Sequence, residues 1–424
     1  MTSPFSDLID ESLHEATFLW SRWEQELTSL TRNLDEIDAW TEGRLHGALD
    51  GVRVAGSGLL DLVSAGLRGE DPRQVAVSAA LIGSSASDAA TAAIADALRD
   101  ADDMRLDGLL RGLELLGTAP LLRAAAKVLV DRGPRHAGGL CRLKAFRRVA
   151  GGDEIAAAFG SGDLRAQIAA LHAASHTPAP HGRACLVNGI QSEQPVVAAT
   201  AVEHGIASGV REAWDMARAR AARLDERAAP YLKVMALLGS RDDQDVIYSA
   251  LRVPSLRVAA VAALGHIGTP RAVDACIAGM KHDEIARAAG EAYCWITGAN
   301  LDRDRLAVAE PPAEAPDFEE DDLDADLVPS PESLWPLPDP VAVAQHWQTG
   351  KSRFADVRHI HGKPVGPETL MAMVESGPML RRPDLIFELR ARSRGRYDVE
   401  PRAFADRQRQ MMASARNTAM TEAV

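Results

Sequence analysis

Hydrophobic and polar positions recur with helical period along most of this chain, and the clearest passage is Ser255–Met280, SLRVAAVAALGHIGTPRAVDACIAGM. Apolar residues at Val258, Val261, Ala262 and Leu264 share one helical face. Gly265 and Gly268 are expected to break that helix. Thr269-Pro270 then restarts one: a capping hydroxyl, followed by proline at the first helical position, where its missing N–H costs nothing. The second helix repeats the pattern at Val273, Cys276, Ile277 and Met280. Two short alanine-rich helices cannot bury their apolar faces alone, so the unit requires stacked neighbours.

Such neighbours recur. First-helix endings of the same kind fall at Leu81-Ile82-Gly83, Leu115-Leu116-Gly117, Val149-Ala150-Gly151, Leu237-Leu238-Gly239 and Trp295–Gly298, with weaker ones near His172–His176 and His204-Gly205. The step is about thirty residues, sized for two helices and two turns. Start signals at Asp71-Pro72 and Thr118-Ala119-Pro120 keep the same period. The pattern predicts an all-α protein, with residues 71–298 an α-solenoid of about eight HEAT-like (PBS-lyase-type) helix pairs.

Residues 1–70 read as a helical N-terminal cap. Over roughly residues 4–50 a long helical segment carries Ile9, Leu13, Ala16, Trp20, Trp23 and Leu27 as an apolar stripe, expected to pack on the first repeat. After Gly298 the pattern stops. Residues 299–339 read as an acidic, proline-containing linker, in which 310–330 hold nine Asp or Glu, four Pro and no Lys or Arg. Asp339-Pro340 starts a new helix, and 340–424 read as a small C-terminal helical module. This module is Arg-rich, with nine Arg against five Asp or Glu over 381–410. Opposite charges in adjacent segments predict that linker and module pair.

Hydrophobic residues make up 46% of the chain but aromatics only 4%, which favours closely packed Ala-, Leu- and Val-rich helices over a sheet. A net charge of −13 disfavours nucleic acid as a partner. Cys141, Cys185, Cys276 and Cys294 form no CxxC pair and read as reduced, buried thiols. The opening residues MTSPFSDLIDESLHEATFLW carry acids where a signal peptide carries positive charge. No stretch approaches the roughly 18 uncharged apolar residues of a membrane span. The expected location is the cytoplasm, without membrane insertion.

Candidate chemistry is sparse. His172 and His176, four apart, could face one ion with His181 nearby, yet the HExxH glutamate is missing and Thr177-Pro178 ends the helix. His359 and His361 lack a nearby third ligand. Arg211, Arg218, Arg220, Arg223 and Arg227 read as a solvated face, and Ala55-Gly56-Ser57-Gly58 as a turn. No catalytic residue, metal site or cofactor is assigned. Trp and Arg dominate binding hot spots, so the candidate partner contacts are Trp20, Trp23, Trp214, Tyr248, Trp335, Trp347, Arg381 and Arg382.

Several segments carry a resemblance when taken together: FLWSRW (Phe18–Trp23), RLHGALDGVRVAG (Arg44–Gly56), RVAAVAALGHIGTPRAVDACI (Arg257–Ile277), AGEAYCWITG (Ala289–Gly298), LPDPVAVAQHW (Leu337–Trp347), RHIHGKPV (Arg358–Val365) and FADRQRQMM (Phe404–Met412). In this order they resemble a family of bacterial HEAT-repeat proteins whose members often lie in type VI secretion gene clusters. The chain departs from it after the Arg pair, where Pro383–Leu389 replaces an alanine-rich helix. The resemblance implies an accessory protein, with a secretion effector or spike component as partner, and brings no catalytic residues. The expected function is a non-enzymatic protein-binding scaffold or adaptor, with a concave face lined by second helices. The alternatives are a solenoid enzyme, bilin-lyase-like or base-excising, and a purely structural oligomer.

Overall fold

The computed structural model describes residues 4–54, 58–85, 87–133, 136–177, 180–308 and 335–421. The expected turn at 55–57 and the acidic stretch 310–330 lie outside them. The chain packs as two compact units, Met1–Trp214 with Met371–Val424, and Asp215–Leu370. The module expected over 340–424 is therefore divided between them. Regular structure among the described residues is helical apart from one short hairpin.

The first unit opens with α1 (Pro4–Glu26), α2 (Leu34–Ile37), α3 (Gly43–Arg53) and α4 (Leu59–Ser64). The long helix expected to residue 50 is interrupted. Asn33 starts α2 with a capping box, its side chain accepting from the Glu36 N–H while the Glu36 carboxylate accepts from the Asn33 N–H. A π-helical turn, Asp38–Glu42, then joins α2 to α3.

Nine helices follow: α5 (Pro72–Gly83), α6 (Asp88–Asp100), α7 (Asp103–Leu116), α8 (Ala119–Asp131), α9 (Ala137–Phe146), α10 (Gly152–Gly160), α11 (Leu164–Ala174), α12 (His181–Ile190) and α13 (Pro195–Ala207). Helices two apart in sequence pack side by side, so α5, α7, α9, α11 and α13 form one layer. The others lie behind it, α6 against α8 and α10 against α12. An inner helix flanked on both sides must bury more than one stripe, and α5 is buried continuously from Val75 to Gly83.

The α5–α7 contact is the tightest of these because α7 presents Gly108 and Gly112, one turn apart. A Cβ on Gly108 would sit 2.6 Å from the Pro72 carbonyl oxygen, and one on Gly112 would strike the Ala76 carbonyl. Both obstacles are backbone and cannot swing aside. Gly112→Ala should therefore lower stability by about 1–3 kcal/mol, although alanine is the better helix former. Gly160→Ala, at the open end of α10 with nothing within 4 Å, is the control. Equal urea midpoints for the two variants would refute this packing.

Helix α14 (Arg211–Ala221) carries the chain into the second unit, which contains α15 (Ala229–Leu238), α16 (Arg241–Ala250), α17 (Arg257–Ile267), α18 (Pro270–Gly279), α19 (Asp283–Thr297) and α20 (Pro340–Gly350). A hairpin of β1 (His359–Ile360) and β2 (Lys363–Pro364) follows, and α21 (Pro367–Ser376) leads out. The predicted pair at Ser255–Met280 is α17 and α18, with Thr269 capping α18 by accepting from the Ala272 N–H. Two details differ. Helix α17 runs through Gly265 and ends only at Gly268, whose φ of +65° is the left-handed termination. Val258 (59% exposed) and Ala262 face solvent, because packing between α15 and α19 buries Ala260, Val261, Ala263, Leu264 and Ile267 instead.

The hairpin closes the carbonyl ends of α17 and α19. Its backbone N–H groups donate from His359 to Gly268 O, from His361 to Trp295 O and from Gly362 to Ile296 O, each at 2.8 Å. The His359 ring packs on Phe354 and the His361 ring on Trp295. Both histidines of the sequence pair thus lie at helix ends, which their backbone N–H groups cap. Trp347 is likewise interior, its indole N–H donating to Asp274 at 2.7 Å.

The chain then re-enters the first unit. Met379 and Leu380 donate backbone N–H groups to Arg32 O and Ser29 O, both at 2.9 Å. Helix α22 (Arg382–Arg392) packs on α13, and α23 (Ala405–Thr421) on α2. No single helix among the described residues is long and apolar enough to cross a membrane.

Candidate binding cleft

A cleft of about 890 Å³ crosses the α5–α13 layer of the first unit. Trp20, Leu106, Leu110 and Ile168 supply apolar walls, and each of α5, α7, α9, α11 and α13 contributes lining. The rim is charged. Asp107 accepts from Arg142 at 2.8 Å and lies 3.5 Å from Arg165. Second helices were expected to line the partner face, but α6, α8, α10 and α12 contribute nothing to this cleft.

Beneath the rim lies a buried ionic node. The Glu114 side chain is 1% exposed and accepts from Arg142 at 2.6 Å, Arg402 at 2.8 Å and Arg111 at 3.3 Å. Burial alone would push its carboxyl up, but Arg142, Arg402 and Arg111 outweigh that and hold it below the ordinary range. Arg111 also donates to Glu24 at 2.5 Å and to the Arg402 carbonyl at 2.9 Å, with its guanidinium over the Trp23 ring. Arg402 thus completes the cleft from 288 residues away.

Two arginines of the stretch 381–410 donate to the carbonyl ends of the same helix layer. Arg390 donates to Ser175 O at 2.5 Å, just past α11, and Arg407 to Phe146 O at 3.0 Å, the last residue of α9. These ends carry partial negative charge, which cations neutralise. Arg148, left-handed at φ 61°, pairs with Asp398 at 2.8 Å, and this turn ends α9 before the expected Val149-Ala150-Gly151.

His172 and His176 do come together, but with His204 and not His181: ring centroids are 5.1 and 5.2 Å apart. His176 Nδ1 lies 2.9 Å from Asp398, which can only accept, so the ring donates there. Burial lowers His176 to about 4 against the pull of Asp398, and burial with His204 beside it holds His172 well below the usual histidine range. Among the described residues no group of three or more His, Cys, Asp or Glu is placed to hold a metal ion.

Near the cleft's Trp20 side, Glu42 occupies the end of the π-helical turn and is 1% exposed. Its carboxylate accepts the Trp23 indole N–H at 2.7 Å and the Ala405 backbone N–H at 2.9 Å, the first residue of α23. Burial pushes its pKa up to about 7, against these two hydrogen bonds.

Several sequence candidates prove to be interior. Trp20, Trp23, Trp347, Arg381 and Arg382 are all at most 5% exposed, since large side chains near chain ends serve here to seal the units. They are corrected from surface contacts to packing residues, although Trp20 still edges the cleft. Trp214, Tyr248 and Trp335 are partly exposed, Tyr248 beneath the Arg271 guanidinium at 3.8 Å. Arg218 of the basic strip is paired with Asp243. Cys141, Cys185 and Cys276 are buried, and burial pushes the thiols of Cys141, Cys185 and Cys294 up to about 12. Sequence reading missed Glu114, whose signal was a charged pair, Arg111 and Glu114, inside the apolar run of α7. It also missed Trp40, which lies in the π-helical turn and is 68% exposed.

No protein-family model and no curated protein matches the chain. A crystal structure of an engineered protein from the Northeast Structural Genomics Consortium aligns over 92% of this chain and 99% of its own, at 14% identity and a TM-score of 0.26. That likeness is too slight to carry an argument about fold or function.

Proposed function

We propose that the chain is an α-solenoid of HEAT-like helix pairs and acts as a non-enzymatic scaffold or adaptor that holds a segment of a protein partner in the first unit's cleft. The observation that carries this reading is that five successive helices of one layer line the cleft. At an interhelical spacing of 8–10 Å, four steps span about 30–40 Å. A small molecule needs far less, whereas about ten residues of extended polypeptide fill it. Apolar walls beneath a rim of both charge signs suit a segment carrying both acidic and basic side chains. The family resemblance adds a class for that partner, a secretion effector or spike component.

A photo-crosslinking residue in place of Ile168, which lines the cleft, tests the reading in cells of the source organism. A discrete adduct is expected, and it should vanish when Ala169→Arg is added while far-UV circular dichroism stays unchanged. An adduct pattern indifferent to Ala169→Arg would remove the cleft as the binding site.

A further inference from the structure

We propose that residues 398–409 form a releasable clasp on the cleft, seated on Glu42, Trp23 and Glu114, and that its seating sets whether the cleft is formed. The proposal rests on the reading of the cleft as a partner site. Its geometry comes from four anchors within eight residues. Arg402 reaches Glu114 and itself lines the cleft, while Arg111 grips the Arg402 carbonyl. The Phe404 ring packs between Trp23 and His46, with centroids 4.9 and 4.8 Å away. The Ala405 N–H is held by Glu42, and Arg409 reaches Asp38 at 2.7 Å and Asp35 at 2.8 Å.

This seam is unlike the layer behind it. Beside the small buried apolar set Val399, Ala403, Phe404 and Ala405, it is held by the ion pairs of Arg402 and Arg409 and by the Glu42–Ala405 hydrogen bond, and seams rich in charge separate into water more readily than apolar ones. The seated state also buries the Tyr397 hydroxyl and the Arg382 Nη2 without hydrogen-bond partners, atoms that regain water on release. Removing the clasp takes Arg402 out of the cleft lining and leaves Arg111 without its carbonyl acceptor. The cleft is therefore incomplete unless the clasp is seated.

Glu42 is the lever. The groups acting on it are Asp38 from its own turn, Trp23 from α1, Ala405 and Arg409 from α23, and Arg382 from α22, with Glu26 beside it on Thr41 and Arg111 beyond Trp23. No cation donates directly to its carboxylate among the described contacts, so ionisation in the seat is disfavoured and a rise in pH loosens the clasp.

Hydrogen exchange on the full chain, corrected for intrinsic rates, reads this without a partner. Amides of 398–409 should exchange about tenfold faster at pH 8 than at pH 6, while α8 and α10 hold constant. Glu42→Gln should abolish the difference. Trp23→Phe, which keeps an aromatic group but loses the indole N–H and part of the ring contact with Phe404, should speed exchange of 398–409 at both pH values. Protection of 398–409 equal to that of α7 at both pH values would overturn the clasp, as would simultaneous loss across every helix. A mobile clasp with no Ile168 adduct would instead leave the clasp standing and sink the partner reading.

Discussion

Glu114→Ala should destabilise the first unit by about 3 kcal/mol, the low end of the cost of stripping one partner from a buried ionic cluster. The carboxylate is buried, but two of its three arginines are not fully so: Arg142 is 27% and Arg402 48% exposed at the side chain, and water recovers part of the loss. Arg111 and Arg142 retain Glu24 and Asp107, whereas Arg402 loses its carboxylate outright. Glu114→Gln should cost less, since the amide still offers one acceptor. A double-mutant cycle of Glu114→Ala with Arg402→Met isolates the long-range pair, and urea denaturation should show a coupling of about 1–3 kcal/mol. A coupling near zero would mean that residue 402 is not held by Glu114 in solution. The depressed pKa of Glu114 fixes the sign of its pH dependence: its stabilisation is present above its ordinary pKa and lost as acid protonates it below.

Glu42 has the opposite sign. Its pKa in the fold, about 7, exceeds its ordinary value of 4.5, so folding favours the protonated form. That contribution is complete below about pH 4.5 and disappears as pH rises through 7. Between pH 5 and pH 8 the wild-type chain should lose about 2–3 kcal/mol relative to Glu42→Gln. The comparison with the variant matters, because His172 and His176, lowered by burial, contribute stability that rises with pH over part of the same interval. Paired urea titrations at the two pH values measure the difference directly. A gap that does not widen with pH would place the Glu42 carboxyl in water.

Helix starts were the most legible features of the sequence. Asp71, Thr269 and Asp339 each cap the helix predicted from them, because a cap is made by residues two or three apart. Helix ends and faces were less so. Gly265 and Gly268 look alike as letters, and only the sign of φ separates a buried helical glycine from a terminator. Val258 and Ala262 were assigned to the core from one helix's periodicity, but α17 answers to two neighbours at once. The cleft was least legible. Arg142 and Arg402 reach Glu114 from 28 and 288 residues away, and neither separation leaves a local pattern. The charge excess at 381–410 was visible, yet composition alone does not single out Glu114 or the end of α9 as partners.

The first unit is assembled from both sides of the second, and this sets an order of events during synthesis. Residues through Trp214 leave the ribosome roughly 190 residues before Arg402, a delay of about 10–40 s at 5–20 residues per second. Throughout that interval Glu114, Trp23 and the carbonyl end of α9 wait without the groups that cover them. The nascent chain is then most exposed to chaperones, proteases and wrong partners. Slowing translation between codons 214 and 402 lengthens that exposure, which makes elongation rate a determinant of yield for this protein.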